Sequence, residues 1–185
     1  AAIPTAGLDS ATAFTLNKML TNYKLSGVDK DDATRAKVKQ LQTEITEIGL
    51  KFDGNIRDDK GDMTLKPEEL AGLPQDYIDA HKQGADGLVH LTYNYPDVVP
   101  VFDFATNRET RKKVLSGYSN RGYPANDPVL KSLLEKRYEL AQTLGYPDYA
   151  TLVTADKMIG NPQRAAQFLD DVNAAAVPGA KADYD

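Results

Sequence analysis

One short stretch of alternating residues constrains the fold most, because the rest of the chain carries helical patterns. From Val89 to Tyr95, apolar or aromatic residues alternate with polar ones. Alternation with a period of two is typical of a half-buried β-strand, and Gly87 and Pro96 limit this one, because proline cannot donate a ladder hydrogen bond. A lone strand cannot satisfy its own backbone groups, so we expect a partner strand at residues 62–66, DMTLK.

The segments next to this strand favour helices. Residues 66–82 predict two short helices that are broken at Gly72 and Pro74. After Pro96 the period changes to that of a helix, for which we expect Asp97 as the cap and Pro100 in the first turn. The apolar positions of that helix are Val98, Val101, Phe102 and Ala105.

The remaining helices are predicted from caps, prolines and glycines. We expect a first helix from Asp9 or Ser10 to about Lys24 and a second from about residue 29 to Asp53. Later helices are expected from Asn107, from 126 to 144, from 147 to 160, and from 161 to a break at 178–179. The expected buried positions are Phe14, Leu16, Met19, Leu20, Tyr23; Val38, Leu41, Ile45, Ile48, Phe52; Leu130, Leu133, Leu134, Tyr138, Ala141, Leu144; Tyr149, Leu152, Val153; and Ala165, Phe168, Leu169, Val172.

These patterns together predict a mainly α fold. It is a multi-helix array with one small two-stranded β element that pairs residues 62–66 with residues 88–94, and residues 1–185 form a single helical region. Val38 to Phe52 repeat at spacings of 3 and 4 over two heptads, which favours an intramolecular helix pair over a coiled-coil partner. We expect residues 1–8 to be a loose lead-in and residues 179–185 to be frayed.

Composition excludes several classes of function. The net charge of −5 argues against a nucleic-acid partner, and no apolar run is long enough to cross a membrane. The chain has no cysteine, so it has no disulfide framework and no thiolate ligand. It shows no signal peptide and does not begin with Met, so we expect a soluble chain cut from a longer one. The compartment, cytoplasmic or periplasmic, stays open.

Three local features are candidates for functional sites. Residues 53–62 resemble a calcium loop but lack glycine where the loop must turn, so we interpret them as a solvated turn. We expect neither His81 nor His90 to bind a metal, and we expect His81 to cap the end of a short helix. Arg108 and Arg111 are candidates for binding a peptide carboxylate, although pairing with neighbouring helices is the favoured interpretation.

Five segments, in order, resemble the N-terminal helical region of the thimet oligopeptidase family, the M3 zinc metallopeptidases. They are IGLKFDGNI (48–56), LAGLPQDYI (70–78), LTYNYPDVVPV (91–101), ATNRETRKK (105–113) and LGYPDYATL with DKM (144–158). The resemblance spans about residues 30 to 175. It implies that the parent protein is a zinc-dependent oligopeptidase.

The catalytic motif of that family is missing from this sequence. The family binds zinc through His-Glu-x-x-His and a downstream glutamate, whereas His81 and His90 are the only histidines and neither precedes a glutamate. The resemblance therefore implies a part of the N-terminal helical lobe that holds no zinc and no catalytic residue. It implies as partners the C-terminal catalytic portion and, for the parent, oligopeptide substrates. The alternative is a stand-alone helical binding or scaffold module.

Overall fold

The computed structural model describes residues 7–184 and is mainly α, as predicted. The elements are α1 (Ser10–Leu25), α2 (Asp32–Asp58), β1 (Met63–Leu65), a 3-10 turn (Pro67–Leu70), α3 (Gln75–Ala80), β2 (Val89–Leu91), α4 (Tyr95–Phe104), α5 (Arg108–Ser119), α6 (Asn126–Leu144), α7 (Tyr149–Thr154) and α8 (Pro162–Tyr184). The described residues form two compact units. One is Glu47–Ser132, and the other combines the residues up to Thr46 with those from Leu133 onward.

The predicted strand pair is present in the Glu47–Ser132 unit and is shorter than expected. β1 and β2 are antiparallel, with Met63 opposite Leu91 and Leu65 opposite Val89, and these four side chains are buried. The expectation that the strand reaches Tyr95 is wrong: Tyr95 is 70% exposed and begins α4. Pairing ends at Leu91, and the Thr92 N–H donates to the carboxylate of Asp97.

The core of this unit forms between the strand pair and the helices that follow it. Its buried members are Met63, Leu65, Leu70, Leu73, Tyr77, Val89, Leu91, Val98, Val101, Ala105 and Val114. Gly72 permits the close approach of the 3-10 turn to the end of α4. Its φ is +92°, and a Cβ there would lie 2.4 Å from the Phe104 carbonyl oxygen.

Helix α4 begins earlier than the sequence predicted. Asn94 is its N-cap, and Pro96 occupies the first turn, so Pro100 lies inside the helix. The expectation that Asp97 caps α4 is wrong, because its carboxylate points back to Thr92. Asn107 does cap α5 as predicted, since its side chain accepts from the Glu109 N–H.

Helix α2 extends one turn beyond the predicted end at Asp53. Residues 53–58, expected as a solvated turn, are helical. The side-chain amide of Asn55 donates to Asn126 at 2.8 Å, and Asn126 in turn donates to the Phe52 carbonyl at 3.1 Å. Asn126 is 7% exposed, so these hydrogen bonds of the side-chain amides are shielded from water and hold the end of α2 in helical form.

The other unit contains the predicted helix pair. Val38 and Leu41 of α2 pack with Leu140, Ala141 and Leu144 of α6 and with Leu152 of α7, while Ile45 is half-buried against them. An ion-pair network borders the helix contact: Lys136 lies 2.7 Å from Glu44 and 3.3 Å from Glu139. Both the apolar contact and the ion pairs beside it link α2 to α6.

Helix α1 has the predicted ends and an unexpected exposure. Asp9 caps it, and the chain leaves through Ser26 and Gly27, whose φ is +74°. None of the 16 residues from Ser10 to Leu25 is buried, so the predicted buried stripe is wrong. Leu16 is half-buried, and the exposed members of that stripe are Phe14, Met19, Leu20 and Tyr23.

The later helices bury different residues from those predicted. In α6, Leu133, Ala141 and Leu144 are buried as expected, but Leu130, Leu134 and Tyr138 are exposed. Val129 and Leu140 are buried instead, which means that the buried face is rotated from the apolar stripe. In α7, Leu152 is buried and Val153 is exposed.

Helix α8 runs further than expected. It continues through Pro178 and Gly179 to Tyr184, so the predicted break and frayed end are wrong within residues 179–184. Phe168, Leu169 and Val172, predicted to face inward, are exposed. Of the predicted lead-in at residues 1–8, only residues 7 and 8 are among the described residues. Residue 185, the last of the predicted frayed end, lies outside them. No helix within residues 7–184 has the length and apolar character needed to cross a membrane.

Candidate functional site

A groove of the Glu47–Ser132 unit lies beside α3. Its volume is about 610 Å³, and its walls include Gly72, Ile78, His81, Lys82 and Val89. Leu70 and Val89 give it an apolar floor, and Glu68, Asp79 and Lys82 bring charges to its rim. Such a groove can accept a side chain or a short extended segment.

A polar cluster at the start of α4 joins this groove to the strand pair. The Asp97 carboxylate accepts from the Thr92 N–H at 2.7 Å and from the Thr92 hydroxyl at 2.6 Å, and it lies 3.2 Å from His81 Nε2. The Tyr77 hydroxyl donates to the Asp97 carbonyl at 2.6 Å. The cluster therefore fastens α3, β2 and α4 to one another.

The electrostatics of this cluster follow from burial and hydrogen bonding. Partial burial opposes ionisation of Asp97, but the donors of Thr92 and His81 outweigh it and lower its pKa. Burial, and then the neighbouring Asp97 carboxylate, raise the pKa of Tyr77. Asp97 is therefore held as an anion and Tyr77 as a neutral phenol.

The predicted capping role of His81 is confirmed. It is the C-cap of α3, and its Nδ1 lies 2.8 Å from the Tyr77 carbonyl oxygen, one turn back. Its ring stacks on Tyr77 with centroids 4.1 Å apart. Both ring nitrogens are engaged, so His81 orients the groove wall instead of presenting a free nitrogen to a substrate.

The second histidine links the start of β1 to the loop before β2. His90 Nδ1 lies 2.8 Å from Asp62, and Nε2 lies 2.9 Å from Asp86. These hydrogen bonds, that to Asp62 first, raise the pKa of His90 above its ordinary value of 6.5. Because the side chain is 46% exposed, solvent screens much of the attraction.

We expect the combined substitution Asp62→Asn and Asp86→Asn to lower the titration midpoint of His90, because it removes both carboxylates that favour the charged ring. Because the pKa of His90 is raised in the folded protein, its bonds to the two aspartates stabilise the fold fully below the pKa of the unfolded chain. This stabilisation is lost as the pH rises through the folded pKa. A proton NMR titration of the His90 ring measures both midpoints. Asp103→Asn, which removes an exposed carboxylate from α4, should leave the midpoint where it is, and equal midpoints in all three proteins would refute the link.

The two arginine candidates lie at the start of α5 in different settings. Arg108 is exposed, whereas Arg111 is half-buried and its guanidinium donates to the Ala105 carbonyl at the end of α4. That contact fits the predicted pairing of Arg111 with a neighbouring helix. A carboxylate-binding role for Arg108 and Arg111 stays a prediction.

The donor residues of this chain do not fit a catalytic zinc site. Zinc in peptidases takes two histidines from one helix and a carboxylate, whereas His81 lies at the end of α3 and His90 lies in β2, each already bonded to aspartate. Within residues 7–184, no group of three or more His, Asp or Glu is arranged to hold a metal ion. We therefore derive no catalytic step from these residues.

Sequence reasoning missed two polar residues whose side chains connect separate elements of the fold. Asp97 was interpreted as a helix cap and Asn126 only as a helix start, although both accept or donate bonds across the fold. Their side-chain partners lie 5 to 74 residues away in the sequence, beyond the three or four residues that a capping pattern covers. The nearest signal was Asp97 following Pro96, which marks a first turn.

Comparison with known proteins confirms the family resemblance. Residues 101–185 match the sequence model of Peptidase family M3. Saccharolysin from Saccharomyces cerevisiae is 30% identical over 169 residues, which cover 88% of this chain. The chain belongs to peptidase family M3.

Two other relatives support this membership of family M3 over nearly the whole chain. Oligopeptidase A from Salmonella typhimurium is 30% identical over 188 residues and 94% of this chain. Thimet-like oligopeptidase from Dictyostelium discoideum is 28% identical over 172 residues and 92% of this chain. The matches cover only 28% and 26% of those relatives, and 24% of saccharolysin, so this M3 chain spans about a quarter of their length.

Proposed function

We propose that this chain is a non-catalytic part of the N-terminal helical lobe of a zinc-dependent oligopeptidase. The observation that carries the proposal is the pairing of M3 membership with a sequence that has no His-Glu-x-x-His. The zinc and its ligands would lie in a C-terminal catalytic portion outside these 185 residues. Alone, the chain would hydrolyse nothing.

The role of the chain in that enzyme is wall and scaffold of the peptide channel. Three features support it: long helices, a small strand pair that packs with α4 and α5, and polar clusters whose groups satisfy one another. Helical walls around a narrow channel admit short flexible peptides and exclude folded proteins. The names of two relatives, thimet-like oligopeptidase and oligopeptidase A, agree with a substrate of this class.

The test is hydrolysis of a quenched fluorescent oligopeptide at equal molar concentrations of two proteins. One is this chain alone, and the other is the whole protein encoded by its reading frame. We expect the whole protein to cleave the peptide, to lose the activity with a chelator and to regain it with zinc. The chain alone should remain at the rate of buffer.

A size control sharpens this test. The same cleavable sequence, placed within a loop of a stably folded domain, should resist the whole protein, because a narrow channel excludes it. Cleavage by the chain alone would refute the scaffold role. An inactive whole protein, or a reading frame with no zinc-binding helix, would favour the stand-alone binding module.

A further inference from the structure

One side of α8 is apolar and exposed. Phe168, Leu169 and Val172 are 59%, 65% and 49% exposed. With Ala165 and Ala176 they repeat at i, i+3, i+4, i+7 and i+11, so they form one stripe, which we call the α8 face. Met158, just before α8, is fully exposed and borders a cavity of about 490 Å³ together with Phe168.

This helix lacks the packing that normally stabilises a helix of its length. None of the 23 residues from Pro162 to Tyr184 is buried, although Pro178 and Gly179 disfavour helix in its interior. Most helical stability in proteins comes from packing of an amphipathic face and not from propensity. The sequence of α8 keeps such a face, so a partner surface is needed to hold the helix.

We infer that the α8 face is the docking surface for the remainder of the parent peptidase chain. This inference rests on the proposed function. The M3 match includes all of α8, yet the chain spans about a quarter of its relatives, so three quarters of their length has no counterpart in these residues. The remainder is the nearest available source of apolar surface, since it would belong to the same polypeptide.

The chemistry of the face favours a helical segment as its occupant. The stripe carries no charge, while Arg164, Gln167 and Asp171 line its edge at the cavity. An apolar stripe with a polar border fits the apolar side of another amphipathic helix. A second copy of this chain is a poorer occupant, because each copy carries a net charge of −5 and the copies repel one another.

Hydrogen exchange in two proteins tests the inference without relying on activity. In this chain alone, the amides of residues 165–177 should exchange quickly. In the whole protein encoded by the reading frame, they should exchange about 100-fold more slowly, because a covered helix opens only with its partner. Equal rates in the two proteins would overturn the inference, as would a reading frame with no further segment.

Matched substitutions locate the covered side. In the whole protein, Val172→Lys and Phe168→Lys should lower the Tm by about 4 °C or more, whereas Ala174→Lys on the opposite side should not. In the chain alone, none of the three should change the Tm, since all three positions are exposed. Equal effects of Val172→Lys and Ala174→Lys would contradict the α8 face.

The outcomes separate this inference from the proposed function. An active whole protein with fast-exchanging α8 amides would overturn the docking surface alone. Protected amides in an inactive whole protein would refute the oligopeptidase assignment and leave the docking surface standing. Protection that increases with the concentration of the isolated chain would identify a second copy as the occupant and overturn the inference.

Discussion

Leu65→Ala is expected to lower the free energy of unfolding by about 2–5 kcal/mol. Leu65 lies at the end of β1, is completely buried and belongs to the core that α4 and α5 build over the strand pair. Replacing its isobutyl group with a methyl group leaves a cavity that a three-residue strand cannot collapse into without breaking its pairing with Val89. Urea denaturation followed by circular dichroism measures the change.

The matched control is Leu115→Ala in the same unit. Leu115 lies on α5 and is 53% exposed, so the same chemical change should cost less than about 1 kcal/mol. If the two substitutions cost the same, β1 is not part of the core of the Glu47–Ser132 unit. The difference between them, more than either value, measures burial at Leu65.

Asp97→Ala is expected to destabilise the chain by about 2–4 kcal/mol at neutral pH. The substitution leaves the Thr92 N–H and hydroxyl and the ring of His81 without their acceptor. Charge-assisted bonds contribute about 1.5–3 kcal/mol each, and the 18% exposure of Asp97 reduces their sum. Thermal unfolding of both proteins at several pH values measures the loss.

The pH dependence of this loss has a definite sign. The folded pKa of Asp97 lies below the ordinary 3.8, so its contribution is complete above that value and disappears as pH falls through the folded pKa. The difference in stability between the original protein and the Asp97→Ala variant should therefore be constant from neutral pH to about pH 5 and become smaller at more acidic pH. Asp103→Ala, an exposed carboxylate on the same helix, should show no such gap.

Several helix ends were predictable from local signals, namely those of α1, the start of α5 and the end of α6. Asp9 and Asn107 cap α1 and α5 through their own side chains, and Gly27 and Gly145 leave α1 and α6 with positive φ. These rules act over three or four residues, which is the range that a sequence pattern covers. The strand pair was predictable for a similar reason, since its alternation is local.

The covering of each helix was much less predictable. An apolar stripe tells which side of a helix prefers to be buried, but it does not tell whether anything lies against it. Met19 and Phe168 sit on such stripes and are exposed, whereas Leu140 was not included in the predicted stripe and is buried. Pro178 was interpreted as a break, although α8 accommodates it within the helix.

The candidate site was predicted only in its parts. The capping role of His81 followed from its place at the end of α3, and Asn107 followed from its place before α5. The junction of Tyr77, His81, Thr92 and Asp97 was not predicted, because it joins residues that are up to 20 positions apart in the sequence. Local periodicity does not predict contacts between residues of different elements.

The continuity of the two units along the chain has a consequence during synthesis on the ribosome. Glu47–Ser132 is one uninterrupted segment, so its strand pair and core can form as soon as that segment has emerged. The other unit needs the residues up to Thr46 to contact those from Leu133 onward. That contact closes a chain loop in which the whole Glu47–Ser132 segment lies between the two ends. The order of translation therefore imposes an order of folding, because α1 and the start of α2 can pack only after α6 and α7 have been synthesised.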